Sequence, residues 1–212
     1  MMKFEALAQA VIEGDDVTVS ELVRRGLDKG VPAETIISEG LTPGITKVGE
    51  LFHEGEYFLP DMLLSARAMQ AGISILRPIL AQRNYEAIAT VVLGTVQGDI
   101  HDIGKNIVGM MMKGAGFNVI DLGQDVPAGH FVEAVQEHKP EILGLSALLS
   151  TTMPAMRTVL EALQEAGLRD EVKVMVGGAP VTQEYADNIG ADGYACDAAE
   201  AVKRARSLLG LD

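Results

Sequence analysis

The sequence predicts a helical unit followed by an α/β unit, and three observations carry that reading. Residues 1–84 place apolar side chains at helical spacing and show no strand pattern. From Ile88 onward, short β-branched runs alternate with helical stretches, the rhythm of parallel strands joined by crossover helices. The length, 212 residues, suits one large domain or two small ones.

Taken in order, Phe4, Leu7, Ala8, Val11 and Ile12 share a helical face, and Gly14 punctuates its end. Val19, Leu22, Val23 and Leu27 mark a second helix that stops near Gly30. Pro32 and Pro43 each suit a first helical turn, the second with Thr42 as its N-cap. Ile45, Val48, Gly49 and Phe52 then line up, Gly55 breaks the pattern, and Pro60 opens a longer helix with Leu63, Ala66, Met69, Ile73, Leu76 and Leu80 inward. Four or five such helices make a small antiparallel bundle over 1–84. Gln82 to Tyr85 reads as a linker. Over 85–212, strands are expected near 89–94, 117–121, 142–146, 172–176 and 193–195. Helices are expected near 105–115, 128–138, 152–166, 182–189 and 198–208. The alternation implies a five-stranded parallel sheet covered on both faces, doubly wound and flavodoxin-like rather than a barrel.

Seventeen basic against thirty acidic residues give a formal net charge of −13, which argues against nucleic acid or an anionic membrane as partner. The single Cys196 forms no internal disulfide, and neither a signal peptide nor an apolar run of transmembrane length is present, so a cytoplasmic location is expected. Cys196 reads as a small buried hydrophobe and the ten Met residues as gap fillers. His53, His130 and His138 lack companions at metal-binding spacing, and Asp15, Asp16, Glu54 and Glu56 read as solvated turn residues. No phosphate-binding glycine loop and no ordered Ser/His/Asp or Cys/His set is present.

The chemistry concentrates in Gly98-Asp99-Ile100-His101-Asp102-Ile103-Gly104-Lys105-Asn106, between the apolar run Ala89–Val96 and the helix that follows. This puts His101 on a strand-to-helix loop at the carboxyl end of a parallel strand, where ligands of such sheets bind. A neutral imidazole there can ligate a metal through one nitrogen. Asp99, two residues earlier, can take the proton of the other and fix the tautomer. Gly104 leaves room beside the backbone for something bulky. Two further features fall where strands should stop: Ser146-Ala147-Leu148 after Ile142–Leu145, and Gly177-Gly178 after Val172–Val176.

Asp-x-His-x-x-Gly, Ser-x-Leu and Gly-Gly, in this order and spacing, resemble the cobalamin-binding signature of methionine synthase and of the corrinoid proteins of methyltransferase systems. Val48 to Pro60 resembles the cap region of the same module, so the resemblance spans nearly the whole chain. It implies a sheet order of 3-2-1-4-5, with the N-terminal bundle as a cap. It also implies His101 as lower cobalt ligand, in place of the cofactor's own base, and a slot for the nucleotide tail. Gly98, Asp99, Ile100, His101, Asp102 and Gly104 stand in the loop, with Ser146, Leu148, Gly177 and Gly178 at the strand ends. Ser150 and Ala198 match positions that contact the tail. The proton relay would run from His101 through Asp99 to Thr152, where the family has a serine. Phe52, Leu59 and Met62 match the positions that cover the upper face of the corrin.

What the resemblance implies for function is a methyl carrier cycling between Co(I) and methyl-Co(III). It would be loaded by a substrate-specific methyltransferase from methylamines, methanol, betaines or aromatic methyl ethers. An acceptor methyltransferase would unload it to tetrahydrofolate or coenzyme M, and a reductive activator would rescue it. The chain is too short to hold those domains itself, so the activities are expected from other polypeptides. A cobalamin-dependent sensor and the cobalamin subunit of an adenosylcobalamin isomerase are the alternatives. The first should add a signalling module and the second a barrel in the chain or a partner, and the helical cap argues against the isomerase.

Overall fold

Residues 4–82 and 87–211 are described by the computed structural model, with side chains for all but Glu34, His53, Leu59, Arg77, Leu80, Ala81 and Gln82. The chain divides into two compact units, Met1–Glu86 and Ala87–Asp212. The boundary expected at 84/85 and most of the expected linker fall on 83–86, outside the described residues. Gln82 itself ends a helix. Among the described residues no helix is long and apolar enough to cross a membrane.

The first unit holds α1 (Phe4–Ile12), α2 (Asp16–Asp28), α3 (Ala33–Ile36), α4 (Thr42–His53) and α5 (Leu59–Gln82). Asp15 caps α2 by accepting the Thr18 N–H at 2.9 Å. The helix start expected around Pro32 is met by α3, whose Ile36 N–H donates to the Pro32 carbonyl at 3.1 Å, but no separate start is found at Pro43. α3 runs through a π-helical turn, Ile37–Leu41, straight into α4, and Thr42 is helical (φ −61°, ψ −45°) rather than a cap. Pro43 lacks an N–H and its ring crowds the carbonyl four residues back, and the wider turn is where the helix absorbs that. Leu63, expected inward, is 39% exposed, because the buried face of α5 runs through Met62, Ser65, Ala66, Met69, Ile73 and Leu76. Ser65 satisfies its buried hydroxyl by donating to the Ile12 carbonyl at 2.9 Å, which ties α5 to the end of α1.

The second unit alternates β1 (Thr90–Thr95), α6 (Ile103–Gly114), β2 (Asn118–Asp121), α7 (Ala128–His138), β3 (Ile142–Ser146), α8 (Pro154–Glu165), β4 (Lys173–Gly177), α9 (Gln183–Ile189), β5 (Gly193–Ala195) and α10 (Ala198–Leu208). The five strands form one all-parallel sheet. Period-two alternation splits its side chains between two cores. Val92, Leu143, Leu145, Val174 and Val176 join Phe131, Met156 and Leu163 on the α7–α9 face. Val91, Leu93, Ile142 and Met175 join Met112, Ala201 and Ala205 on the α6/α10 face.

The strand order is β2-β1-β3-β4-β5, not the expected 3-2-1-4-5. The chain reverses after its second strand: α7 crosses back over β1 and delivers β3 to β1's other side. Gly94 makes that crossing possible, since a Cβ there would meet the ring of fully buried Phe131 at 2.5 Å. The reversal places the sheet's switch point between β1 and β3, the crevice where ligands of doubly wound sheets bind.

Gly94→Ala should therefore destabilise the protein by about 1–3 kcal/mol through overpacking, against the usual gain from replacing a strand glycine. Adding Phe131→Leu to that variant should recover part of the loss. Urea unfolding of the two variants measures both, and an unperturbed or more stable Gly94→Ala would show that α7 does not lie tightly on β1.

Candidate functional site

β1 ends at Thr95, and the backbone turns through Gly98 before reaching Asp99, which is fully buried. An ionised carboxylate without solvent needs hydrogen-bond donors, and this one has five. Oδ1 accepts from the His101 backbone N–H (3.0 Å) and pairs with the His101 Nδ1 (2.7 Å). Oδ2 accepts from the Leu148 N–H (2.7 Å), the Leu149 N–H (3.3 Å) and the Thr152 hydroxyl (2.7 Å). Burial alone would raise the acid. The Thr152 hydroxyl, the His101 and Leu148 N–H groups and the His101 ring outweigh it and hold Asp99 well below the usual carboxylate value.

An anionic Asp99 at Nδ1 selects the tautomer with the proton on Nδ1 and leaves Nε2 with a lone pair. The His101 side chain is 45% exposed, and Nε2 has no hydrogen-bond partner among the described residues. The ring is thus fastened on one side and open on the other. The Thr152 hydroxyl carries one proton and has two acceptors in reach, Asp99 Oδ2 at 2.7 Å and the Leu149 carbonyl at 2.8 Å. The extra methyl group of threonine does not keep the hydroxyl from the carboxylate.

The other expected residues gather at the same sheet end. Thr95, Ser146, Gly177 and Ala195 are register partners across β1, β3, β4 and β5, so Ser146 and Gly177 lie in one row of strand ends. Ser146 is half-buried and Ser150 exposed, and neither hydroxyl has a protein partner among the described residues. Gly178, at φ +134°, permits the closest approach: a Cβ there would overlap the Ala147 carbonyl. Ala198, buried, opens α10 just beyond β5. Gly98 and Gly104 are exposed, Asp102 is half-buried, and a Cβ on Gly104 would touch nothing within 4 Å. Ile100 (68%), Ile103 (60%), Leu148 (42%) and Leu149 (43%) stand exposed on the same loops, an apolar surface around a single open imidazole nitrogen.

In the helical unit Phe52 is half-buried and Met62 is 2% exposed, among the core positions of α5. The Leu59 side chain lies outside the described residues. Cys196, expected buried, is exposed with Sγ 3.7 Å from Asp197 Oδ2, because β5 ends at Ala195 and releases it into the loop. The support beneath the His101 loop has no signature in the sequence. The Thr95 hydroxyl donates to the His101 carbonyl at 3.2 Å, and Asp125 Oδ1 accepts the Gly98 N–H at 2.7 Å. Gly123–Pro127 signals a turn by composition, but not which peptide its side chains would reach.

Among the described residues no three His, Cys, Asp or Glu side chains converge to hold a metal. A lone imidazole beside an open glycine, a row of small residues and an apolar rim fits a metal that brings its other ligands with it, as a macrocycle does. Comparison with known proteins points the same way. Residues 89–203 match the model of a B12 binding domain and residues 3–77 that of a second B12 binding domain. A corrinoid protein of Desulfitobacterium hafniense is 47% identical, the match covering 99% of each chain. The trimethylamine corrinoid protein of Methanosarcina barkeri is 46% identical over 95% of this chain and 94% of its own. The crystal structure of the methanol:cobalamin methyltransferase complex from M. barkeri holds a chain that superposes with a TM-score of 0.84 at 35% identity, covering 98% of this chain and 79% of that one.

Because Asp99 is held below its usual value of 3.8, the stability it contributes is fully present above about pH 4 and is lost as the pH falls further toward its folded value. Asp99→Asn should flatten that acid limb: urea unfolding at pH 7 and pH 3 should show a smaller drop for the variant than for the wild type. An equal drop would mean that the carboxylate is not held as the geometry requires.

Proposed function

The chain belongs to the family of corrinoid proteins built on B12-binding domains, and from that premise we propose that it is a methyl carrier. It receives the group from a substrate-specific methyltransferase and yields it to an acceptor methyltransferase using tetrahydrofolate or coenzyme M. Its cofactor is cobalamin or a related corrinoid. Kinship with trimethylamine and dimethylamine corrinoid proteins, and likeness to a chain of a methanol:cobalamin methyltransferase complex, support a small methylated compound as the donor. The donor and acceptor pockets belong to the partners, as does reductive activation.

The observation that carries this reading is the pair Asp99–His101, closed at Nδ1 by a 2.7 Å hydrogen bond and open at Nε2. Bound, the corrinoid supplies the cobalt that accepts and releases the methyl group. Nε2 of His101 is the nitrogen that would hold that metal. Ser146, Ser150, Gly177, Gly178 and Ala198 line the slot for the tail, and Gly98, Ile100, Asp102, Gly104 and Leu148 flank the ring. Asp99 keeps the ring in the ligating tautomer. Thr152 tunes this by sharing its one proton between Asp99 and the Leu149 carbonyl. Phe52, Leu59 and Met62 are assigned to the cap. Phe52 is the best placed to test, since Met62 is buried and its loss would first cost stability.

His101→Ala, loaded with cobalamin, should retain the cofactor through the tail slot, lose the axial imidazole from its visible spectrum and transfer methyl groups at least about 10-fold more slowly. Wild-type spectra and rates would refute the ligand assignment. For the cap, Phe52→Ala loaded with methylcobalamin should photolyse more efficiently with only modest destabilisation. A loss of roughly 3–5 kcal/mol with unchanged photolysis would make Phe52 a packing residue only.

A further inference from the structure

Asp125 stands in the loop after β2 at φ +53°, a left-handed conformation that few residues other than glycine, asparagine and aspartate visit readily. From that position it grips both sides of one dipeptide. Its side chain Oδ1 accepts the Gly98 N–H at 2.7 Å, and its backbone N–H donates to the Asp99 carbonyl at 2.9 Å. The segment around it is itself fastened to the end of β1. Thr95 N–H donates to the Gly123 carbonyl and Val126 N–H to the Thr95 carbonyl, each at 3.0 Å. On the far side of the His101 loop, buried Lys105 in the first turn of α6 places its ammonium on both carboxylate oxygens of Asp121. The end of β2 and the loop after it thus hold the segment that carries His101 on both sides.

Gly98, at φ +84°, has no side chain to restrict its own backbone. Rotation at this residue would swing the Asp99 carboxylate away from the ring it orients. We propose that Asp125 is a positioning residue for the His101 ligand, acting through the Gly98–Asp99 peptide and then through the Asp99 carboxylate. The inference rests on the reading of His101 as the lower ligand of the corrinoid. Asp99 touches the ring directly; Asp125 never does, and it sets the angle at which the ring is offered.

Three substitutions separate the hydrogen bond from the backbone conformation. Asp125→Gly keeps the left-handed backbone accessible and removes the acceptor, Asp125→Asn keeps both, and Asp125→Ala loses both. The full chain of each, grown with nitrogen-15 histidine and loaded with unlabelled cob(II)alamin, is compared by electron paramagnetic resonance for the share of bound cobalt that shows the nitrogen-15 doublet of an axial histidine nitrogen, alongside corrinoid content and melting temperature. Asp125→Gly should lower that share at least about two-fold relative to wild type, Asp125→Ala should lower it as much or more, and Asp125→Asn should restore it. A wild-type share in Asp125→Gly overturns the proposal, including the case in which corrinoid content or melting temperature falls, since that marks a residue that only stabilises the loop. His101→Ala measured in parallel keeps the two readings apart. If it loses the axial nitrogen while Asp125→Gly retains it, only the positioning role fails. If it retains the axial nitrogen, the ligand assignment fails and the positioning role with it.

Discussion

A fully buried carboxylate is the constraint around which the α/β unit is arranged. Taking an ion out of water costs several kcal/mol unless donors replace the water, and Asp99 finds two of its five in its own loop and three about fifty residues on, after β3 and at Thr152 ahead of α8. Those segments meet only because the sheet reverses between β1 and β3. With a 3-2-1 order β3 would stand two strands away, and the Leu148 N–H could not reach the end of β1. Gly94 under Phe131, the crossing of α7 and the charge state of Asp99 are therefore successive links of one chain. The open nitrogen of His101 is its outcome.

Much of this was legible in the sequence, and the parts that were not share a physical cause. Alternation of β-branched runs with helical stretches located every strand to within a residue or two, because burial on both faces of a parallel sheet leaves continuous apolar runs. The loop motif located the Asp99–His101 pair because the carboxylate and the ring it holds are two residues apart in sequence. Sheet order was misjudged because it depends on which face a crossover takes, and Gly94 declares that only once Phe131 is seen lying against it. Thr42 and Pro43 looked like a helix start because proline favours one, and local pattern cannot show a helix widening by one residue to carry proline through. Asp125 was missed because its partners are backbone groups of Gly98, 27 residues upstream, and of Asp99 next to it, and backbone groups have no residue type to read.

The division of labour follows from what the site contains and what it does not. A single imidazole, a carboxylate, a hydroxyl and a row of small residues can ligate, orient and admit a cofactor. Kinship with trimethylamine and dimethylamine corrinoid proteins is in keeping with that economy.

The central claim is that His101 replaces the cofactor's own base beneath the cobalt. The most direct measurement is electron paramagnetic resonance of the protein grown with nitrogen-15 histidine and loaded with unlabelled cob(II)alamin. Of the four labelled histidines only an axial one couples strongly to the metal. The axial splitting should change from the triplet of nitrogen-14 to the doublet of nitrogen-15. A triplet that survives the labelling would mean that the cofactor's own base remains bound and that His101 ligates nothing.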